Sequence, residues 1–284
     1  MQTPWGDIPV SDTHVHFFSR RFFQILGGDS SQLGFEIDDD LASRWIAELD
    51  KYGVSKAALI ASIPGDEESV AAAVTAHPGR FHGYFMLNPT APNWERGFDL
   101  GLHVPCLFPA MHRYSLHDDR VIPVLERARC VFVHCGVLTV GVRKKLGLPS
   151  PFDMRFSNPM DLHGLALRYP MVNFIIPHFG AGYFREALML ADLCPNIYLD
   201  TSSSNSWMKY QPSSADLKSV FATALVVAGA NRLLFGTDSS FFPRGWQKPI
   251  FDEQISVLRE LGVESQDAAA ILGGNHRRLM ASAA

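Results

Sequence analysis

Eight times along this chain a short run rich in β-branched and aromatic residues alternates with a longer amphipathic stretch. That rhythm belongs to repeated βα units on a parallel sheet. The runs are Ile8 to His16, Ala57 to Ile60, Gly83 to Leu87, Leu102 to Phe108, Val131 to His134, Val172 to Pro177, Asn196 to Asp200 and Leu233 to Gly236. Helices are predicted near Asp39 to Tyr52, Asp66 to His77, Asp118 to Arg129, Pro159 to Tyr169, Tyr183 to Leu193, Ala215 to Ala228 and Gln247 to Leu261. Acidic Asp38, Asp39 and Asp40 open the first, Gly53 follows its end, and Asn158-Pro159 opens another. The fourth run is the weakest strand, because Pro105 removes a ladder donor and only the brief helical signal from Trp94 to Asp99 precedes it. A helical segment from Ser265 to Ala281, interrupted by Gly273-Gly274, forms a C-terminal tail. The expectation is a single α/β domain over 1–284, a (β/α)8 TIM barrel with that tail.

Composition narrows the partners. The 284 residues carry a net charge of −4, without the basic excess that supplies non-specific nucleic-acid affinity. No uncharged stretch reaches the roughly 18 apolar residues of a membrane span, and Met1 to Val10 has no basic region followed by an apolar run. These features predict a cytoplasmic protein whose partner is a small molecule rather than nucleic acid or membrane. Cys106, Cys130, Cys135 and Cys194 form no C-x-x-C pair, so neither a disulfide framework nor a cysteine zinc knuckle is indicated.

The chemistry lies at strand ends. In Asp12-Thr13-His14-Val15-His16 the two histidines are two apart on an extended strand, so both side chains face one side. The fifth run ends in His134, the sixth is followed by His178, and the eighth leads into Asp238. Alone, each has an ordinary role: a H-x-H pair can be structural, a strand-end histidine can cap a loop, and Asp238 before Ser239-Ser240 can cap a helix. Together they fall at the C-terminal ends of the strands, which converge at a barrel's mouth. Three imidazoles and a carboxylate suit Zn²⁺, with Mn²⁺, Fe²⁺ or Co²⁺ also acceptable. Of the seven other histidines, most are assigned to the surface, with His112 held open because it follows the fourth strand. The long segments lacking regular signals, Phe17 to Glu36, Pro109 to Leu116, Gly136 to Ser157 and Ser202 to Pro212, follow strands and belong at the same mouth.

These motifs, with His134-Cys135-Gly136, Pro177-His178-Phe179-Gly180, Phe235-Gly236-Thr237-Asp238 and Ile271-Leu272-Gly273-Gly274-Asn275-His276-Arg277-Arg278-Leu279, resemble the amidohydrolase-related (amidohydrolase 2) branch of the amidohydrolase superfamily. That branch includes 2-amino-3-carboxymuconate-6-semialdehyde decarboxylase, related aromatic-acid decarboxylases, and metal-dependent hydrolases and lactonases. The resemblance implies one divalent metal, usually Zn²⁺, held by His14, His16, His134 and Asp238, with His178 acting in catalysis. The lysine that many superfamily members carry at the end of strand four is missing from Val104-Pro105-Cys106-Leu107-Phe108-Pro109, so a mononuclear centre is expected. Cys106 is read as inert core.

The implied reaction is hydrolysis of an amide, lactone or ester by metal-activated water, with Asp238 accepting its proton and His178 acting as hydrogen-bond donor or general acid. The alternatives are decarboxylation of an aromatic or unsaturated acid on the same residues, and a non-catalytic barrel that binds a small molecule. Arg244, between Phe241-Phe242-Pro243 and Gly245-Trp246, is the candidate carboxylate clamp. His112 and Arg113 are further substrate-binding candidates, and Arg143-Lys144-Lys145 is read as a solvated face. Phe17-Phe18 and Phe22-Phe23 suggest an apolar lid or rim packing. Trp207 and Trp246 are compatible with a homodimer interface, as branch members are often dimers.

Overall fold

The computed structural model describes residues 1–28, 33, 37, 40–202, 205–212 and 215–283. Eight parallel strands form one sheet: β1 (Ser11–Phe17), β2 (Lys56–Ala61), β3 (Phe81–Leu87), β4 (Val104–Leu107), β5 (Cys130–Val133), β6 (Asn173–Ile176), β7 (Ile197–Asp200) and β8 (Leu233–Leu234). Each pairs with the next in sequence order. The ring closes where Thr13 N donates to Phe235 O at 2.9 Å, His16 N donates to Ser239 O at 2.7 Å, and Val15 bridges Ser239. The result is a nearly closed TIM barrel whose strands lie where the apolar runs place them.

Pro105 sits inside β4 without breaking it. That strand pairs with β3 from Val104 to Leu107 but with β5 only at Cys106 and Leu107, so one ladder begins just past the missing donor. A register shift between Asp12 and Val15 gives β1 one extra residue relative to β2. Such a bulge re-aims side chains. Val15 and Phe17 pack with the outer core, whereas His14 and His16 face the mouth.

Helices wrap the sheet. Asp40 caps Leu41–Tyr52 through Ser43 N at 3.2 Å, and left-handed Gly53 ends it; Asp38 and Asp39 lie outside the described residues. The stretch after Asn158 begins as a 3₁₀ turn and continues as His163–Arg168. Short helices also form in segments expected to be irregular: Arg20–Leu26, Pro109–His112 and Gly141–Lys145. The first and third share a small apolar cluster of Phe22, Phe23, Leu33, Val142 and Leu146, separate from the barrel core, and together roof the mouth.

The tail closes the opposite end. Ser265–Ala269 and Asn275–Ala283 flank a π-helical segment at Ala270–Gly274. A Cβ on Gly273 would lie 2.5 Å from Pro9 O, so only glycine lets the tail approach β1. Leu279 and Met280 then join the barrel interior with Ala58, Val104, Cys130, Phe132 and Leu234. His276, expected at the surface, is instead fully buried there: Ser11 Oγ lies 2.7 Å from its Nδ1 and Tyr84 OH 3.1 Å from its Nε2. Trp207 and Trp246 are also buried and offer no surface to a partner. Among the described residues no helix is long and apolar enough to cross a membrane.

Candidate active site

At the mouth, β1 supplies His14 and His16 while the turn after β8 supplies Asp238. The two imidazole Nε2 atoms are 3.4 Å apart, and Asp238 Oδ1 lies 3.7 Å from His14 Nε2 and 3.4 Å from His16 Nε2. Asp238 is not a helix cap: it holds a left-handed backbone at φ 56°, and the next helix starts only at Lys248. His178 is likewise left-handed at φ 55°. Strain of this kind in non-glycine residues costs on the order of 1–3 kcal/mol each and gathers at functional sites.

The outward nitrogens fix what the inward ones present. His14 Nδ1 lies 2.8 Å from Asp200 Oδ2. A carboxylate accepts only, so Nδ1 carries the hydrogen and Nε2 a bare lone pair. Ser62 donates its hydroxyl to Ile60 O at 2.9 Å, so it accepts from His16 Nδ1 at 2.7 Å, with the same consequence. His178 Nδ1 donates to Ser202 O at 3.0 Å, which leaves its Nε2 bare as well. Ser202 Oγ lies 3.0 Å from both His14 Nδ1 and His178 Nδ1 and ties the two rings to one loop. Gly236 makes room for this arrangement: a Cβ there would sit 2.5 Å from Asp200 Oδ1 and 3.1 Å from His14 Cβ.

With both rings neutral, three acceptors converge with no donor among them, an arrangement that a proton on one ring or a bound cation relieves. Ligand atoms of a tetrahedral centre with bonds of about 2.0–2.1 Å lie about 3.4 Å apart, close to the separations observed. The residues present fit a divalent metal, and their outward partners are of the kind that orients metal-bound histidines.

The charges show how strongly this cluster draws a positive charge. Burial opposes protonation of His14, but the charge and hydrogen bond of Asp200, helped by Asp238 and Asp12, raise its pKa. Burial lowers His16 despite Asp238. Burial alone would raise Asp238; the adjoining His16 ring and the charges of His14 and His178 instead hold it below the usual carboxylate range. Asp12 stands behind the site, accepting from His14 N, Thr237 N, Thr237 Oγ1 and Trp246 Nε1, and so braces β1 against the loop after β8. Burial pushes its carboxyl up to about 6 even so.

The other expected residues are placed differently. His134 lines the same cavity but lies outside the triangle of His14, His16 and Asp238. It stacks on Phe108 at 5.2 Å with its Nδ1 buried and unpartnered, and burial lowers its pKa far below the ordinary value. His178 lines the cavity too, yet the hydrogen-bond donor expected of it is turned away: its proton points at Ser202, and burial keeps the ring neutral-leaning. Arg244 lines the rim, its guanidinium without a hydrogen bond or ion pair among the described residues. Arg113 is not in the lining, since it donates to Pro151 O at 3.0 and 2.7 Å. His112 lines a neighbouring cavity rather than this one.

Lys144 and Lys145 are exposed, as a solvated face requires, but Lys145 also borders the cavity, its Nζ 4.5 Å from the Phe241 ring centroid. Phe18 and Phe22 stack at 4.3 Å in the same lining. Cys106 lies in the barrel interior, its thiol pushed well up by burial, as inert core requires. Asp200, Ser202 and Ser62 escape the sequence argument. Asp200 had a visible signal, being a carboxylate at the end of an apolar run like those that drew attention to His134 and Asp238.

A barrel whose strand ends carry two histidines and an aspartate around one point defines a candidate metal-dependent barrel. The amidohydrolase family model matches residues 11–280, and the chain belongs to that family. In Emericella nidulans, Protein fluG is 38% identical over 88 residues, which are 31% of this chain and only 10% of that protein. Among solved structures, an uncharacterized TIM-barrel protein from Bordetella bronchiseptica superposes with TM-score 0.67 at 20% identity, covering 96% of this chain and 99% of that one. A protein from Acinetobacter baumannii, assigned as a 2-pyrone-4,6-dicarboxylic acid hydrolase and holding citric acid, gives 0.63 at 14% identity over 96% and 100%. An amidohydrolase from Burkholderia multivorans with bound zinc gives 0.59 at 14% identity over 96% and 99%. At these identities the likeness establishes the shared barrel.

Proposed function

We propose that this chain is a mononuclear metal-dependent hydrolase that cleaves an amide, lactone or ester bond in a small, carboxylate-bearing molecule. The observation that carries the reading is the convergence of two bare Nε2 atoms and Asp238 Oδ1 on one point. His14, His16 and Asp238 hold the metal, with Zn²⁺ the first candidate and His134 within the same cavity as a fourth donor.

A divalent ion at this position supplies Lewis acidity toward a carbonyl and a water ionisable near neutral pH. Asp238 would accept the proton of the attacking water and pass it to the leaving oxygen or nitrogen as the acyl bond breaks. His178, neutral and bare at Nε2, accepts a hydrogen bond from that water and orients it. Arg244 and Lys145 at the rim attract a carboxylate, and the Phe18, Phe22, Phe108 and Phe241 rings exclude bulk water. The citric acid in the Acinetobacter protein is consistent with a carboxylate ligand for such a barrel.

Decarboxylation on the same residues requires a proton delivered to the carbon that loses CO₂. His178, whose single proton is engaged by Ser202, is poorly placed to give one, and this favours hydrolysis. The test is a screen of lactones, amides and carboxylated aromatics with Zn²⁺- and Mn²⁺-loaded protein, monitored for acid release and CO₂ together with elemental analysis. Acid release by stoichiometrically metallated protein is expected; CO₂ release, or activity indifferent to metal, overturns the proposal. Retention of activity by Arg244→Ala with unchanged kcat/KM removes the clamp.

A further inference from the structure

The cavity over the metal ligands is about 310 Å³, near the lower limit of the roughly 300–1,000 Å³ of small-molecule sites. Beside it lies a second cavity of about 240 Å³, bounded by Leu26, Pro64, His112, Arg143, Pro151 and Phe152. Phe22, Ser62, Met86, Met111 and Val140 line both, so the partition between the two chambers consists of these side chains. Two of them are methionines, unbranched side chains that change rotamer readily and repack around ligands. Joined, the chambers fall well within the usual range for a ligand site.

Two polar side chains border the second chamber, His112 and Arg143, whose Nε donates to Pro149 O at 2.8 Å. His112 ends the short helix Pro109–His112, its ring stacked on Tyr114, and its Nδ1 is buried with no hydrogen-bond partner among the described residues. Leaving a buried polar group unpaired is destabilising. A ligand group that reaches the ring as the partition side chains repack would recover that loss, as a well-placed polar group does in a mostly apolar site.

We propose that the substrate is an elongated acid: its carboxylate lies at the Arg244–Lys145 rim, its scissile group lies over the metal ligands, and an apolar arm crosses the Met86–Met111 partition to a polar end recognised by His112. This rests on the hydrolase reading for the rim and the metal position, and adds the arm and its recognition.

The test is calorimetric binding of benzoate and a series of ω-phenylalkanoates to the metal-loaded protein, with ω-(4-hydroxyphenyl) analogues as the polar-ended set. If the arm enters the second chamber, affinity rises about fourfold per methylene until that chamber fills, and the hydroxyl gives a further gain. Leu26→Trp, which fills the second chamber, removes the length dependence while benzoate keeps its affinity. His112→Phe removes the hydroxyl gain alone. Affinity flat with chain length, or a length dependence that survives Leu26→Trp, overturns the elongated substrate even if benzoate binds. Should Leu26→Trp not fold, a hydroxyl gain unaffected by His112→Phe overturns it independently. Failure of every acid, benzoate included, overturns the carboxylate reading of the rim and this inference with it.

Discussion

The barrel carries a histidine network at each end, and the two are built in opposite ways. At the base, His276 has both ring nitrogens answered by hydroxyls, Ser11 at Nδ1 and Tyr84 at Nε2, in a fully buried setting. A hydroxyl both donates and accepts, so either tautomer of a neutral ring is satisfied and nothing is left to bind. At the mouth, the outward nitrogens of His14 and His178 face a carboxylate and a carbonyl, and that of His16 faces a serine already committed to Ile60. Those partners force the lone pairs inward, where no donor waits. The same side chain is structural where its partners can adapt and left open to a ligand where they cannot.

The largest separation between the two networks should appear in catalysis. His16→Ala removes one of three converging donors, and losing a Lewis acid forfeits several kcal/mol of transition-state stabilisation, on the order of 10³-fold in kcat. Because it also removes a lone pair facing another lone pair, the metal-free protein should keep or raise its Tm. A metal-free Tm that falls by many degrees would make the mouth network structural after all, and erase the contrast. His276→Phe should do the reverse. It strands the Ser11 and Tyr84 hydroxyls at about 1–3 kcal/mol each, so denaturant unfolding should show a loss of a few kcal/mol while metal stoichiometry holds.

Asp200→Asn is the next smaller effect. Its amide can turn either oxygen or nitrogen toward His14, so the Nδ1–H tautomer is no longer imposed. Changes to such outer partners cost about 10–100-fold in metal affinity or activity. Competition with a chromophoric chelator measures it, and an unchanged affinity would show that the tautomer is fixed by something other than Asp200.

How far these features could be read in advance follows from what encodes them. Strand positions and the ligands His14, His16 and Asp238 are local: an apolar run, an x spacing of one, a polar residue at its end. His276 was misjudged as surface because burial of a helical histidine depends on where the tail docks, and that is set by the Gly273 approach to Pro9, a contact between residues at opposite ends of the chain. That Lys145 also borders the cavity was hidden for the same reason. Only the packing of Gly141–Lys145 against Arg20–Leu26 turns Lys145 toward the cavity. Ser62 and Ser202 carry no signal at all in sequence, since any serine after a strand looks alike and their roles consist entirely of which hydrogen each gives and receives.

The smallest effect is on the pH dependence of stability, to which His276 and His14 contribute with opposite signs. His276 is held far below its ordinary 6.5, chiefly by burial with His82 and the Arg277 and Lys56 charges adding to it. Its unfolded form binds a proton that the folded form refuses. Stability is therefore full above about 6.5 and falls as pH drops below it, by up to about 1.4 kcal/mol per pH unit. His14 is shifted upward, so in the metal-free protein its contribution is complete below 6.5 and is lost as pH rises through the folded value. Urea unfolding of the metal-free protein between pH 5 and 8 should show the first slope reduced by about one proton in His276→Phe, the lowered His16, His82, His112, His134 and His178 keeping the rest, and the second reduced likewise by His14→Phe. Metal replaces the proton at the mouth only. Calorimetry at pH 6.5 in buffers of different ionisation enthalpy should therefore record proton release on metal binding that His276→Phe leaves intact, and no release in the wild-type protein would mean that His14 is not the group the metal displaces a proton from.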